Sequence, residues 1–134
     1  MVLLLLCLAP ASGAAIRIVK INFDPAGADT GSNTSLNAEW IRLKNTGTRA
    51  RSLTNWRVHD RGRDHVYRFG TYTLGAGLTV TIHTGKGSNT ARNRYWRLEN
   101  YVWNNDGDKA TLRKADGTII DTCAYSGAGS TAVC

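Results

Sequence analysis

The sequence predicts an all-β protein, an immunoglobulin-like antiparallel β-sandwich of seven to eight short strands. Apolar and polar residues alternate with period two in short stretches, as in Leu78-Thr79-Val80-Thr81-Ile82-His83, which is the signature of a half-buried strand. Clusters of turn formers, such as Asn45-Thr46-Gly47 and Asp116-Gly117, separate these stretches at short intervals. No segment sustains a helical period, and 14 glycines against 2 prolines suit many tight turns.

The elements follow in order. Ile16, Ile18, Val19 and Ile21 make a first strand, with Arg17 and Lys20 between them. Residues 24–37 are rich in Gly, Asp, Ser, Thr and Asn and read as a loop. Ala38 to Asp60 reads as strand, turn, strand. Ile41 and Leu43 alternate with Arg42 and Lys44; after the turn, Leu53, Trp56 and Val58 resume the apolar content, with Arg57 and His59 interposed. Trp40 and Trp56, one on each strand, are expected to start the core.

Arg61 to Asp64 is a turn, His65 to Phe69 a short strand, Leu74 to Gly77 a turn, and Leu78 to His83 a strand. Residues 85–94 are polar. Tyr95 to Trp103 is aromatic-rich without a period, and Asn104-Asn105-Asp106-Gly107-Asp108 is a turn. Ala110–Lys114 and Thr118–Ala124 form a hairpin through Asp116-Gly117, a dipeptide suited to tight reversal. The chain of 134 residues has no internal repeat or low-complexity linker, which fits one domain.

Met1 to Ala14 differs from the rest. Val2 to Leu8 is an unbroken apolar run followed by small residues, the pattern of a secretory signal. Cleavage is expected after Ala14, leaving 15–134 as the mature domain. The run is too short to span a bilayer. Its removal takes Cys7 and leaves Cys123 and Cys134, an even pair in a short exported chain. The pair is expected to form a disulfide that ties down a C-terminal tail otherwise prone to fray. Neither CxxC spacing nor accompanying histidines mark it as a metal or redox pair.

Lysine and arginine total 17 against 10 acidic residues, a net charge of +7. Such an excess favours contact with nucleic acid, wall polymers or anionic membrane surfaces; it serves solubility equally well, and composition does not choose between them. Arg49, Arg51, Arg57, Arg61, Arg63 and Arg68 are concentrated in one region, although strand alternation would send some of them to opposite faces.

Several ordered motifs resemble the lamin tail domain family in its exported bacterial form. They are Glu39-Trp40-Ile41-Arg42-Leu43-Lys44-Asn45, Leu53-Thr54-Asn55-Trp56-Arg57-Val58, Tyr67-Arg68-Phe69, Leu74 to Ile82, Trp103 to Asp108, and the 110–121 hairpin. The resemblance spans roughly Ile16 to Tyr125 and implies an immunoglobulin-like sandwich that acts as an interaction module. In nuclear lamins that module meets chromatin and partner proteins. In exported bacterial proteins it stands beside nucleases and other hydrolases. The family supplies no catalytic residues to carry over. This sequence shows no coiled coil, nuclear localisation run or prenylation box, so a nuclear-envelope role is not implied.

Arg92, Arg94, Tyr95, Trp96 and Arg97 are the candidate polyanion-binding residues. Arginines hold phosphates, and neighbouring aromatics stack on the bases of single strands. Trp96 is expected to be the most exposed tryptophan, in a loop, with Trp56 and Trp103 in the core. His59, His65 and His83 show no metal-ligand spacing and accompany no nucleophile motif, so no catalytic residue, metal or cofactor is assigned. Asn104 to Asp108 has oxygen ligands suited to calcium but lacks the terminal glutamate of an EF-hand, and turn formation accounts for it. The expected function is that of a secreted, non-catalytic binding module contacting nucleic acid, another anionic polymer or a protein partner. A small secreted hydrolase or nuclease using one of the histidines, and a self-associating wall or matrix protein, are the rival readings.

Overall fold

The structure, a computed structural model, describes residues 15–134; the expected signal segment 1–14, with Cys7, lies outside the described residues. In chain order the first elements are β1 (Ile16–Asn22), α1 (Asn33–Ala38), β2 (Trp40–Asn45), β3 (Arg51–Ser52) and β4 (Arg57–His59). A 3₁₀ turn (Arg61–Arg63), β5 (Val66–Arg68), β6 (Thr73–Leu74), β7 (Thr79–His83) and β8 (Asn93–Tyr95) follow. The chain ends in β9 (Asp108–Arg113), β10 (Ile119–Tyr125) and β11 (Thr131–Val133).

Alternation along each strand sorts these elements into layers. Ile41 and Leu43 on β2 are fully buried, as are Val80 and Ile82 on β7 and Ile16, Ile18 and Ile21 on β1. These strands pair in a five-stranded sheet of order β11-β1-β2-β7-β8. Val58, Tyr67, Ala110 and Leu112 turn inward from a four-stranded sheet of order β10-β9-β4-β5. The two inner faces, with Phe23, Leu53, Phe69, Leu74 and Trp103, form one apolar core. This is an immunoglobulin-like β-sandwich, with a small β3-β6 ribbon at one side.

The strand-turn-strand stretch is not a hairpin. β2 belongs to the five-stranded sheet and β4 to the four-stranded one, so the chain crosses between layers through β3. Trp40 is not core: with Ile41 and Leu43 inward, the pleat sends Trp40 to the outer face, where it stands opposite Asn22 and His83. Trp56 is partly buried against the core, and Trp103 is fully buried. The eleven strands among the described residues include several of two or three residues, too short to have been counted from periodicity. The pairing is antiparallel except for β7 with β8, which is parallel.

Within the expected loop at 24–37 the chain forms α1. Ser32 accepts a hydrogen bond from the Ser35 N–H at 3.2 Å, a side-chain N-cap, and Leu36 anchors the turn in the interior. Six residues are too few for a helical period to show.

One strand in from the edge of its sheet, β1 carries a bulge. The pairing with β2 shifts between Ile18 and Lys20, so Arg17 and Lys20 both face outward while Ile18 and Ile21 face in. The Ile18 N–H is met by Asp121 of β10 at 2.9 Å, and the Cys134 N–H donates to the Val19 carbonyl at 3.1 Å. Cys123 and Cys134 are joined in a disulfide with Cα atoms 5.6 Å apart. The bridge fastens the end of β11, in one sheet, to β10, in the other.

A ring closed between positions 11 apart in sequence stabilises by about 3 kcal/mol through the entropy removed from the unfolded chain. Cys134→Ser is therefore expected to lower the denaturation midpoint by that equivalent in guanidinium titration. The native protein should weigh two hydrogens less than its reduced form, and an unchanged midpoint in the variant would rule out the bridge as a stabilising constraint.

Candidate functional site

The segment singled out in the sequence does not form one surface. Arg92 is exposed, whereas Arg94 and Tyr95 lie in β8, beside Ile82 and His83 of β7. The Arg94 guanidinium sits over the Tyr72 ring at 4.9 Å. Tyr95 stacks on His83 with centroids 5.1 Å apart, and the backbone of Gly87 closes on the tyrosine so tightly that a Cβ there would meet its ring. Trp96, expected to be exposed, is buried and meets Tyr67 and Trp103 edge-on at 5.8 and 6.1 Å. The reason is parity: Tyr95 faces out from the sheet, so its successor turns in, and the indole fills the core. Arg97 is exposed and donates to the Gly87 carbonyl at 3.1 Å.

The fold gathers other cations instead. On the outer face of the four-stranded sheet, Arg57 stands directly opposite Arg68 on one side and Arg113 on the other. These three are drawn into protein bonds: Arg57 to the Ala115 carbonyl (3.1 Å), Arg68 to Asn55 (2.8 Å), and Arg113 to His59 (3.0 Å) and the Gly117 carbonyl (2.9 Å). On the outer face of the five-stranded sheet, Arg17 stands opposite Lys44 and Lys20 opposite Arg42. Arg42 donates through Nε to the Thr81 hydroxyl at 3.0 Å and lies over the Trp40 ring at 4.4 Å. Sequence reading missed this cluster, although the spacing Trp40-x-Arg42-x-Lys44 already marked three outward positions on one strand.

The histidines are structural in their bonding. Arg113 donates to Nε2 of buried His59, whose Nδ1 faces the Asp60 carbonyl at 2.8 Å. His65 meets the Asp60 carboxylate at 2.7 Å. His83 lies between the Asn37 carbonyl and the Asn93 side chain, both at 2.9 Å. None of the three lines the open clefts of about 500, 450 and 330 Å³ beside the disulfide, at Arg61 and Tyr125, and at Lys86 and Leu98. In the 104–108 turn, the Asp108 carboxylate accepts from the N–H groups of Asn104 at 3.1 Å and Arg61 at 3.0 Å. Burial, reinforced by the carboxylates of Asp108, Glu39 and Asp106, pushes the Tyr125 phenol far up, and it donates to the Asn104 carbonyl at 2.8 Å. No group of three or more potential metal ligands occurs among the described residues.

A deeply buried titratable group was not singled out in the sequence. Glu39 is 1% exposed. One of its oxygens accepts from the Val102 N–H and the Thr84 hydroxyl, each at 2.7 Å. Its backbone carbonyl accepts from the Thr84 N–H at 3.1 Å. This one residue joins the start of β2, the end of β7 and the approach to Trp103. Burial raises its carboxyl from 4.5 to about 7, outweighing the hydrogen bonds from Val102, Thr84 and Trp103 that favour the charged form.

A family model described as Lamin Tail Domain matches residues 9–127. The match begins within the segment expected to be cleaved. No curated protein matches the chain.

The Glu39 carboxyl makes stability depend on pH. Between 4.5 and about 7 the folded protein holds a proton that the unfolded chain has released, so stability is greatest below that window and is lost as pH rises through it. The loss is about 3 kcal/mol. Glu39→Gln keeps an acceptor for Val102 and Thr84 but cannot ionise. In thermal unfolding from pH 4.5 to 8, the wild type should fall relative to the variant across this window; parallel curves would assign the pH dependence to other groups.

Proposed function

The chain belongs to the lamin tail domain family, whose fold is an immunoglobulin-like interaction module, and from that premise we propose that it is an exported, non-catalytic module whose partner is an anionic polymer, extracellular DNA or a wall polymer. One observation carries the choice of partner. Of 17 lysines and arginines, only Arg17 and Lys86 come within 4.0 Å of a carboxylate among the described residues. The remaining cations form no close ion pair in the folded protein, and those that donate to none of its own acceptors are available to an external polyanion. The Cys123–Cys134 bridge supports export, since such bonds persist in oxidising compartments. The family match, to an interaction domain without catalytic residues, supports a role without catalysis.

Binding of this kind releases condensed counterions and carries little sequence information. Wild-type protein should therefore retain oligonucleotides of differing sequence alike, with affinity falling steeply as salt rises, in a fluorescence anisotropy titration. Failure to bind DNA, heparin or an anionic wall polymer even at low salt would assign the charge to solubility. Plasmid cleavage in divalent metal, abolished by replacing His59, His65 or His83 with alanine, would overturn the non-catalytic reading.

A further inference from the structure

We infer that the outer face of β1 and β2 is a binding track for a single nucleic-acid strand, with phosphates held by Arg17, Lys20, Arg42 and Lys44 and a base placed against Trp40. The inference rests on the polyanion reading above and deepens it by naming the surface and the form of the ligand.

The track follows from register. Lys44, Arg42 and Trp40 occupy successive outward positions along β2, about 6.7 Å apart at the rise of an extended strand. Arg17 lies beside Lys44 and Lys20 beside Arg42. Two rows of paired cations are thus followed by an aromatic ring. Like charges placed directly across a strand pair are unfavourable, and nothing on this sheet relieves them: its five strands contain no aspartate or glutamate. The nearest carboxylate to Arg17 is Asp121 of the other sheet, at 3.9 Å. An anion laid along the rows supplies the missing countercharge.

Arg42 is also held in place for this task. Its Nε is committed to Thr81 and its guanidinium carbon lies over the Trp40 ring, while its terminal nitrogens make no hydrogen bond within the described residues. A guanidinium with its fork fixed and open is suited to bidentate contact with a phosphate. The three arginines of the opposite sheet contrast with it, since each spends a terminal guanidinium nitrogen on an acceptor of its own chain.

Width argues for one strand rather than a duplex. The cations lie on two adjacent strands, about 4.8 Å across. That accommodates one phosphate chain, whereas a duplex presents its backbones across a major groove of about 12 Å. The spacing along β2 is comparable with that of successive phosphates on an extended single strand. The indole at the end of the rows offers the sequence-tolerant stacking contact that single-strand binders use.

The test is a titration of isotope-labelled wild-type protein with oligothymidine, read by amide chemical shifts, alongside anisotropy measurements on variants. Shift changes should concentrate on β1, β2 and the facing part of β7. The combined variant Arg17→Thr, Lys20→Thr, Arg42→Thr, Lys44→Thr, checked for folding by circular dichroism, should lose affinity by on the order of fiftyfold at low salt, and its salt slope should flatten by about 0.7 for each cation removed. Trp40→Leu should weaken oligothymidine more than duplex or heparin. Shifts centred on β4 and β5, or undiminished binding by the fourfold variant while Arg57→Thr, Arg68→Thr loses it, would overturn the track and leave the polyanion reading standing. Tighter binding of duplex or heparin than of oligothymidine would overturn the single-strand assignment. Absence of binding to every polyanion would remove both.

Discussion

The pleat of β2 is the constraint on which the rest of the molecule depends. Because successive side chains point to opposite faces, burying Ile41 and Leu43 obliges Trp40, Arg42 and Lys44 to look outward. β2 lies at the centre of the five-stranded sheet, so that choice propagates through register to both neighbours. It places Ile18 and Ile21 of β1 inside with Arg17 and Lys20 outside, and Val80 and Ile82 of β7 inside with Thr81 and His83 outside. A slip of one residue would exchange core and surface along the strand. The apolar interior and the cationic exterior are thus two outcomes of one alignment.

Glu39 stands at the entrance to this strand. An ionisable group in such a place is costly to bury without partners, and its partners come from segments distant in the chain, Thr84 and Val102. The residue fixes where β2 begins and where the connection to Trp103 runs. Asp108 does comparable work at the start of β9 by gathering the N–H groups of Asn104 and Arg61, and Asp121 does so for Ile18. Much of the scarce acidic charge is therefore spent on backbone N–H groups. That leaves the basic side chains largely without internal counterions.

How much of this was legible in the sequence depended on length and locality. β2, β7 and the β9–β10 hairpin were readable because each spans enough residues to show alternation, and because Asp116-Gly117 closes the hairpin, with Gly117 at a positive φ of 91°. β3, β6, β8 and β11 have two or three residues each and owe their existence to a neighbouring strand rather than to their own pattern. The six residues of α1 show the same limit. Trp40 and Trp96 were assigned to the wrong sides because an indole suits either environment and only parity decides between them. The juxtaposition of Arg17 and Lys20 with Arg42 and Lys44 could not be read from either segment alone, since it exists only once β1 and β2 are in register. The disulfide was legible because only two cysteines remain in the expected mature chain.

The bridge between Cys123 and Cys134 has a consequence for association as well as for cohesion. β11 occupies one edge of the five-stranded sheet and pairs with Lys20, Ile21 and Asn22 of β1. It is three residues long, its Val133 is 83% exposed, and its end is held by one covalent link. Without that link β11 is held by its pairing with β1 and by Ala132 in the core, and its loss would leave β1 a bare edge able to template pairing with a second chain. The bond therefore acts against edge-to-edge association as well as against fraying of the tail.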